Sequence, residues 1–295
     1  MIQPPDRSSG LALPPAPVPA SSPVRIGDTA VHVWRGGAGA DTRPALLSLH
    51  GWTDAGAVFG PLAREIGCGW HVVAPDAPGH GSTPWRRAPT YGAPRQAAAA
   101  LPVLDALRHL AGRHAGVVVH GHSMGALAAA RLAASRPDVV RHLVLEEPRV
   151  GEPGRSWRDA LTEWYVERRM LAWLLRLRAT SPEAMTAAAR RMAPQWSPEE
   201  VELWARAKRD LSLAVLVVPL AHGAPLERLL ARVTCPVTLV RGSATQDVVH
   251  DATCARLAAR TRAGFDVVTF PTGHNLHREA CGEFAGVLRG ILSRS

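Results

Sequence analysis

The sequence predicts an α/β fold in which a mostly parallel, doubly wound sheet is flanked by helices. Short apolar runs rich in Val and Leu alternate with longer helical stretches, and the connections between them are short. Because both faces of each run are apolar, we expect helices to cover the sheet on both sides. The predicted strands are Ala45–His50, His71–Asp76, Gly116–His120, Val140–Glu146, Pro236–Gly242 and Phe265–Pro271.

The segments around these strands predict one hairpin and five helices. Residues 24–34 alternate between apolar and polar types around Gly27-Asp28, which is typical of a β-hairpin at the edge of a sheet. Helical patterns follow most of the strands, and the third of them is rich in Ala, which suits close packing on a sheet. The predicted helices are Ala57–Ile66, Arg95–Gly112, Gly125–Ser135, Asp251–Ala263 and His274–Leu292.

The alternation is interrupted once, between the sixth strand and the seventh. Residues 149–232 contain no convincing strand and carry several Trp residues on amphipathic stretches. Ser181-Pro182-Glu183 and Ser197-Pro198-Glu199 each combine a cap residue, Pro at the first helical position and an early acid, which favours a helix start. We therefore predict a helical lid at 149–232 and an α/β core formed by 24–148 and 233–295.

The N-terminal residues 1–23 are rich in Pro, Ala and Ser and lack the charged start and apolar stretch of a secretory signal. Such a segment buries too little apolar surface to offset its chain entropy, so we predict a disordered tail. No apolar run approaches the roughly 20 residues that span a bilayer, so no membrane span is predicted.

The four cysteines argue against metal or disulfide scaffolding. Cys68, Cys235, Cys254 and Cys281 include no Cys-x-x-Cys pair, and they are few for a chain of 295 residues. We interpret them as small apolar residues in a reducing compartment. Together with the absence of targeting signals, this predicts a cytoplasmic protein.

The net charge of +9 raises the question of nucleic-acid binding. Nearly all of the positive charge is Arg, and Lys208 is the only lysine. The arginines are spread along the chain in small pairs such as Arg86-Arg87, with no long basic tract and no interleaved aromatic ladder. This distribution predicts a solvated, Arg-rich surface and no nucleic-acid partner.

A candidate nucleophile lies between a buried strand and an Ala-rich helix, in Gly121-His122-Ser123-Met124-Gly125. A tight strand-to-helix turn needs small flanking residues because the helix approaches the strand closely. The turn lifts the Ser123 hydroxyl above the carboxyl edge of the sheet, beside a helix N-terminus that favours developing negative charge. The motif alone is weak, but in this context it predicts a catalytic serine.

A serine hydroxyl needs a base, and His274 is the best placed of the 13 histidines. It follows the last apolar strand and the turn Pro271-Thr272-Gly273, so its imidazole is expected at the edge of the sheet where Ser123 lies. His277 is the competitor, one turn further along, and we expect it to face solvent or to pack against the core.

Two backbone amides are candidates for an oxyanion hole. The strand at 45–50 ends in His50-Gly51-Trp52, and Gly51 allows the backbone to approach closely. The Trp52 N–H is then expected to point towards the same site as the Met124 N–H. Each such donor lowers the barrier to a tetrahedral intermediate by roughly 3–4 kcal/mol.

The acid that orients the histidine has two candidates. Asp247 follows the strand at 236–242, and Glu147 follows the strand at 140–146. Both positions lie at the carboxyl ends of strands. We prefer Asp247 and keep Glu147 as the alternative.

These residues resemble the α/β-hydrolase superfamily, in its lidded group of esterase, epoxide-hydrolase and dehalogenase type. The order of nucleophile, acid and histidine fits that fold, and Asp76-Ala-Pro-Gly-His80-Gly-Ser82, His50-Gly51-Trp52 and Gly273-His274-Asn275 are similar to its characteristic loops. The resemblance covers the chain from about residue 24 onwards. The sequence departs from the family where the usual acid position is Thr245, and relatives with the acid after the sixth strand keep Glu147 open.

A serine at the nucleophile position implies acyl chemistry, because dehalogenases and epoxide hydrolases of this fold use a carboxylate. The sequence therefore predicts a serine hydrolase of an ester, thioester, lactone or similar acyl bond, with no cofactor and no metal. The aromatic lid favours a small, apolar acyl substrate, although the same tryptophans could simply attach the lid to the core. The alternatives are a cofactor-free haloperoxidase or perhydrolase, a C–C bond hydrolase, and a ligand-binding protein without catalysis.

Overall fold

The computed structural model describes residues 23–37, 39–110, 116–150, 157–221, 223–244 and 249–295. The predicted disordered tail, residues 1–23, lies outside the described residues apart from Pro23, and so does Asp247. No helix within the described ranges is long and apolar enough to cross a membrane.

An eight-stranded sheet forms the centre of the fold, in the order β1-β2-β4-β3-β5-β6-β7-β8. Strand β2 pairs antiparallel with both β1 and β4, and every other pairing is parallel. The mostly parallel α/β sheet predicted from the sequence is confirmed. The strands are β1 Val24–Ile26, β2 Thr29–Trp34, β3 Ala45–Leu49, β4 Val72–Pro75, β5 Val117–His122, β6 Val140–Glu146, β7 Val237–Gly242 and β8 Phe265–Phe270.

Helices cover both faces of this sheet. Successive side chains of a strand point to opposite faces, and in the central strands both sets are apolar and buried. In β3, Leu46 joins the apolar cluster that contains Phe284 of the C-terminal helix, whereas Leu47 joins the cluster that contains Leu104 and Leu127. The helices of the core are α1 Gly60–Ile66, α2 Ala93–Leu110, α3 Met124–Ser135, α9 Asp251–Ala258, α10 Leu276–Glu279 and α11 Cys281–Leu292.

In the described part of the chain between β6 and β7 there are five helices: α4 Trp157–Arg178, α5 Pro182–Met192, α6 Pro198–Asp210, α7 Ala214–Val217 and α8 Leu226–Leu230. The two predicted helix starts are confirmed. The Ser181 hydroxyl accepts a hydrogen bond from the Ala184 N–H, and Ser197 with Glu200 forms a reciprocal capping box. Local cap chemistry therefore sets where α5 and α6 begin.

Trp204 of this segment packs against two other tryptophans. The ring of Trp204 lies 6.0 Å from that of Trp173 and 6.4 Å from that of Trp196, measured between centroids. Trp204 is buried, and the other two are partly buried against the main core. Through these contacts the three tryptophans attach the segment to the core.

Two sequence expectations were wrong in detail. The strand at 265–270 is not covered on both faces: Val267 is exposed, and among the described strands β8 pairs with β7 alone, at the edge of the sheet. The helix expected over 274–292 is interrupted at Ala280, whose backbone is not helical. At the start of the first piece, the Glu279 carboxylate accepts hydrogen bonds from the Gly273 and Asn275 N–H groups.

Candidate active site

Ser123 occupies a strained turn between β5 and α3. Its backbone angles are φ 54° and ψ −113°, a conformation that L-residues rarely adopt. A Cβ at Gly121 would lie 2.2 Å from the Gly125 carbonyl oxygen, and one at Gly125 would lie 2.1 Å from the Leu49 carbonyl oxygen. Both glycines are therefore required for α3 to approach β5 and β3, and the turn holds the Ser123 side chain at the edge of the sheet.

The loop after β3 lies directly beside this turn. A Cβ at Gly51 would come within 3.4 Å of the Ser123 Cβ. His50 fixes the loop: its Nε2 accepts from the Ala77 N–H at 3.0 Å, so its Nδ1 carries the hydrogen and donates to the Gly51 carbonyl oxygen at 2.8 Å. Gln96 adds a hydrogen bond to the His50 carbonyl oxygen.

The two amides predicted for an oxyanion hole lie on the elements that flank the serine. Met124 is the first residue of α3, so its N–H has no acceptor within the helix. Trp52 follows Gly51 in the loop after β3 and is half-buried. Both amides therefore lie on elements that adjoin the Ser123 turn.

The structure brings His274 together with Glu147. The Nδ1 atom of His274 lies 3.5 Å from Oε2 of Glu147, whose side chain is buried. The other carboxylate oxygen of Glu147 accepts from the Gly242 N–H at 2.7 Å. The backbone N–H of Glu147 donates to the Val240 carbonyl oxygen. Glu147 also has a positive φ of 44°, so the chain turns sharply at the end of β6 and directs the carboxylate towards β7. The preferred acid, Asp247, lies outside the described residues.

His277, the competing base, is buried away from the acid of this pair. Both its Nδ1 atom and its backbone nitrogen lie 2.8 Å from Oε1 of Glu146. The other oxygen of Glu146 contacts Nε2 of His120 at 3.0 Å. Burial alone would raise the pKa of Glu146, but His277, His122 and the hydrogen bonds hold it well below its usual value. A buried carboxylate thus anchors the helix that follows the candidate base, a role that sequence reasoning missed.

A second buried ion cluster connects the segment between β6 and β7 to the loop after β3. Lys208 of α6 donates to Oδ1 of Asp54 and to the Thr53 carbonyl oxygen, each at 2.9 Å. Arg278 donates to Oδ2 of Asp54 at 3.1 Å. Burial would raise the pKa of Asp54, but the two cations hold it well below its usual value. Sequence reasoning gave these residues no role, although a single lysine in an Arg-rich chain was a usable signal.

The loop after β4 is organised by one buried carboxylate. Asp76 accepts from the Gly56 N–H at 2.7 Å and from the Ser82 N–H at 2.8 Å. Its neighbour in the loop, His80, is fully buried, lies beside His50 and stacks on the ring of Tyr91. Burial lowers the pKa of His80 to about 3. This loop therefore packs a neutral imidazole under the site.

Replacing His80 by Gln is expected to weaken the pH dependence of stability. Because burial lowers the pKa of His80 in the folded protein, only the unfolded chain binds this proton between pH 6.5 and about 3. The contribution of His80 to the free energy of unfolding is fully present above pH 6.5. It is lost as the pH falls through that window, by up to about 1.4 kcal/mol per pH unit for one proton. Urea unfolding from pH 4 to pH 6.5 measures this slope for both proteins.

In the His80→Gln variant, the free energy of unfolding should change less steeply with pH, and the difference in slope should correspond to at most one bound proton. Asp76, His50 and Lys208 act on this imidazole and stay in place in the variant, so the difference between the two slopes isolates His80. His250→Gln, which removes an exposed histidine outside the site, is the control. Equal slopes for His80→Gln and the unchanged protein would contradict a neutral, buried His80.

A serine on a strained strand-to-helix turn, with an imidazole and a buried carboxylate at the same edge of a mostly parallel sheet, defines the class of α/β hydrolases. The family model "Alpha/beta hydrolase family" matches residues 46–287, which is most of the chain. The chain therefore belongs to the α/β-hydrolase family and is a hydrolase.

Comparison with known proteins finds a similar lipase, a similar esterase and a domain of the same fold. The chain is 32% identical to lipase LipV of Mycobacterium tuberculosis over 283 residues, which is 89% of this chain and 97% of the lipase. A crystal structure of the esterase Rv0045c of the same organism has a TM-score of 0.66 at 25% identity, covering 95% of this chain and 92% of the esterase. The thioesterase domain from the curacin biosynthetic pathway shares the fold, with a TM-score of 0.67 at 20% identity and coverage of 90% and 97%.

Proposed function

We propose that this protein is a serine hydrolase that cleaves a carboxylic ester, a thioester or a lactone through an acyl-enzyme on Ser123. The observation that carries the proposal is the strained backbone of Ser123 at the end of β5, with His274 and the buried carboxylate of Glu147 at the same edge of the sheet. The names of the lipase and esterase relatives support an ester as the substrate.

The roles follow from this arrangement. His274 takes the proton of the Ser123 hydroxyl as its oxygen attacks the carbonyl carbon, and the Trp52 and Met124 amides stabilise the oxyanion. The tetrahedral intermediate expels the alcohol or thiol, which receives the proton from His274. A water molecule, deprotonated by His274, then attacks the acyl-enzyme and releases the acid and the free serine.

We assign the third role to Glu147 in place of Asp247. A carboxylate beside Nδ1 keeps the hydrogen on that nitrogen, which leaves Nε2 free to accept the serine proton. The 3.5 Å separation is longer than a hydrogen bond, and such contacts often shorten only when substrate is bound. The Gly242 N–H keeps the Glu147 side chain oriented before substrate arrives.

We further propose that residues 149–232 act as a lid over a small, apolar acyl substrate in a cytoplasmic enzyme. Contacts with loops of the core support the position of the lid: Lys208 binds the loop after β3, and the Ser212 N–H donates to the Gly79 carbonyl oxygen. The location is inferred from the sequence alone.

Fluorophosphonate labelling tests the nucleophile. The Ser123 oxygen should displace fluoride and carry the phosphonyl group, because only an activated serine reacts with this probe at a useful rate. Mass spectrometry of the digested protein is expected to find the adduct on the peptide that contains Ser123. Ser123→Ala should abolish labelling and hydrolysis of p-nitrophenyl esters, whereas Ser135→Ala, at the other end of α3, should preserve both.

A folded protein that forms no adduct on Ser123, or a Ser123→Ala variant that keeps full esterase activity, would overturn the proposal. A series of p-nitrophenyl esters of increasing acyl length then defines the substrate class. Activity on a peroxide-forming or C–C substrate in place of these esters would favour the corresponding alternative on the same residues.

A further inference from the structure

Two buried imidazole nitrogens beside Ser123 have no hydrogen-bond partner among the described residues. They are Nδ1 of His122 and Nε2 of His277. The two residues are 3% and 1% exposed, and their ring centroids are 4.8 Å apart. Because an unpaired polar atom in a dry interior costs free energy, a binding partner for these nitrogens is expected.

Hydrogen bonds on the far side of each ring decide which nitrogen carries the hydrogen. Nε2 of His122 lies 2.9 Å from the His274 carbonyl oxygen, and Nδ1 of His277 lies 2.8 Å from a carboxylate oxygen of Glu146. Carbonyl and carboxylate oxygens only accept, so both of these nitrogens are donors. A neutral imidazole ring carries one N–H, so Nδ1 of His122 and Nε2 of His277 carry no hydrogen, and each has a free lone pair that can bind a ligand.

Asp54 supplies a third donor to the same place. One carboxylate oxygen of Asp54, one nitrogen of His122 and one nitrogen of His277 all lie within 4.8 Å of one another, and all three residues are buried. Lys208 and Arg278 each occupy one lone pair of the Asp54 carboxylate, which has about four. Lone pairs thus remain on all three side chains around one small volume.

We propose that Asp54, His122 and His277 form a binding site for a divalent transition-metal ion such as Zn²⁺. Two imidazole nitrogens and one carboxylate oxygen suit zinc, copper or nickel better than magnesium or calcium, which prefer oxygen ligands alone. Glu146 completes the arrangement, since metal-binding histidines commonly donate their other N–H to a carboxylate.

An ion at this position inhibits the enzyme and takes no part in the reaction. Zinc ligands lie about 2.0–2.2 Å from the ion, so three ligand atoms spread over as much as 4.8 Å must move inwards. His122 precedes Ser123 in the chain and holds the His274 carbonyl group, so its movement displaces both. Lys208 and Arg278 bind the same carboxylate and oppose the added positive charge, which weakens the binding of the ion.

The experiment uses the whole protein and Zn²⁺ itself. Crystals soaked in Zn²⁺ are expected to show an anomalous difference peak between Asp54, His122 and His277 at the zinc absorption edge. Equilibrium dialysis in micromolar Zn²⁺, followed by elemental analysis, should find one ion fewer per chain in His277→Gln than in the unchanged protein. Long equilibration is needed because the site is buried, and His142→Gln is the control for the loss of a histidine elsewhere.

Activity provides a second readout. Zn²⁺ should lower kcat with little change in KM, a chelator should restore it, and His277→Gln should be less sensitive. Density for a water molecule without anomalous signal, equal dialysis stoichiometry in the two proteins, or binding at crystal concentration only would overturn the proposal. His122→Gln replaces His277→Gln if that variant does not fold. The diffraction and dialysis results do not depend on turnover, so they stand apart from a failure of the proposed esterase function.

Discussion

Replacing Glu147 by Gln is expected to lower kcat for ester hydrolysis by about 10³–10⁴-fold while the protein stays folded. The Gln side chain can still accept the Gly242 N–H through its oxygen, so the local structure is preserved. Its amide group then faces His274 and donates to Nδ1. That hydrogen bond forces the ring hydrogen onto Nε2, which can no longer accept the serine proton.

The matched control is Asp247→Asn, which changes the acid favoured by the sequence. If Glu147 orients His274, Asp247→Asn should retain activity within a few-fold of the unchanged enzyme. Steady-state kinetics with one p-nitrophenyl ester, together with the unfolding midpoint of each variant, measures both effects. A large loss in Asp247→Asn with near-normal activity in Glu147→Gln would reverse the assignment.

The strained turn that carries Ser123 was predictable from the sequence because its constraint is local. A strand, a tight turn and a helix must follow one another within a few residues, and the turn admits only small flanking residues such as Gly121 and Gly125. Sheet periodicity was also predictable, since the alternation of side chains along a strand such as β3 depends only on neighbouring residues.

The carboxylate that lies beside His274 was harder to predict because this contact joins distant parts of the chain. Asp247 and Glu147 both follow strands at the correct edge, and the chain order of the residues does not distinguish them. The turn at Glu147, with its positive φ, decides the direction of that carboxylate, and this conformation is unusual for Glu. The edge position of β8 was equally hidden, because it depends on the order of the strands in the sheet.

The second buried ion cluster, formed by Asp54, Lys208 and Arg278, also depends on contacts between distant segments. Asp54 and Lys208 are 154 residues apart, and Asp54 and Arg278 are 224 apart. The Lys208 ammonium group, at the end of a flexible stem, donates both to this carboxylate and to the Thr53 carbonyl oxygen. Sequence patterns of single helices and strands carry no information about such a cluster.

Replacing Asp54 by Asn is expected to lower the free energy of unfolding by about 3–5 kcal/mol. Lys208 and Arg278 would then be buried without a negative partner, because the side chains of both cations are at most 5% exposed. The loop after β3 would also lose its attachment to α6. We therefore expect lower activity at temperatures where the variant is still folded, since that loop carries the Trp52 amide.

Urea unfolding at pH 7 measures the change in stability, and a surface ion pair provides the control. Asp138, whose side chain is half-exposed beside Arg136 and Arg108, should cost less than about 1 kcal/mol when replaced by Asn. The double variant Asp54→Asn/Lys208→Met should recover part of the lost stability, because Met removes one of the two unpaired charges and fills the same space. If Asp54→Asn is no more destabilising than Asp138→Asn, water must reach the cluster, and the buried cations cannot hold the loop in the way the structure indicates.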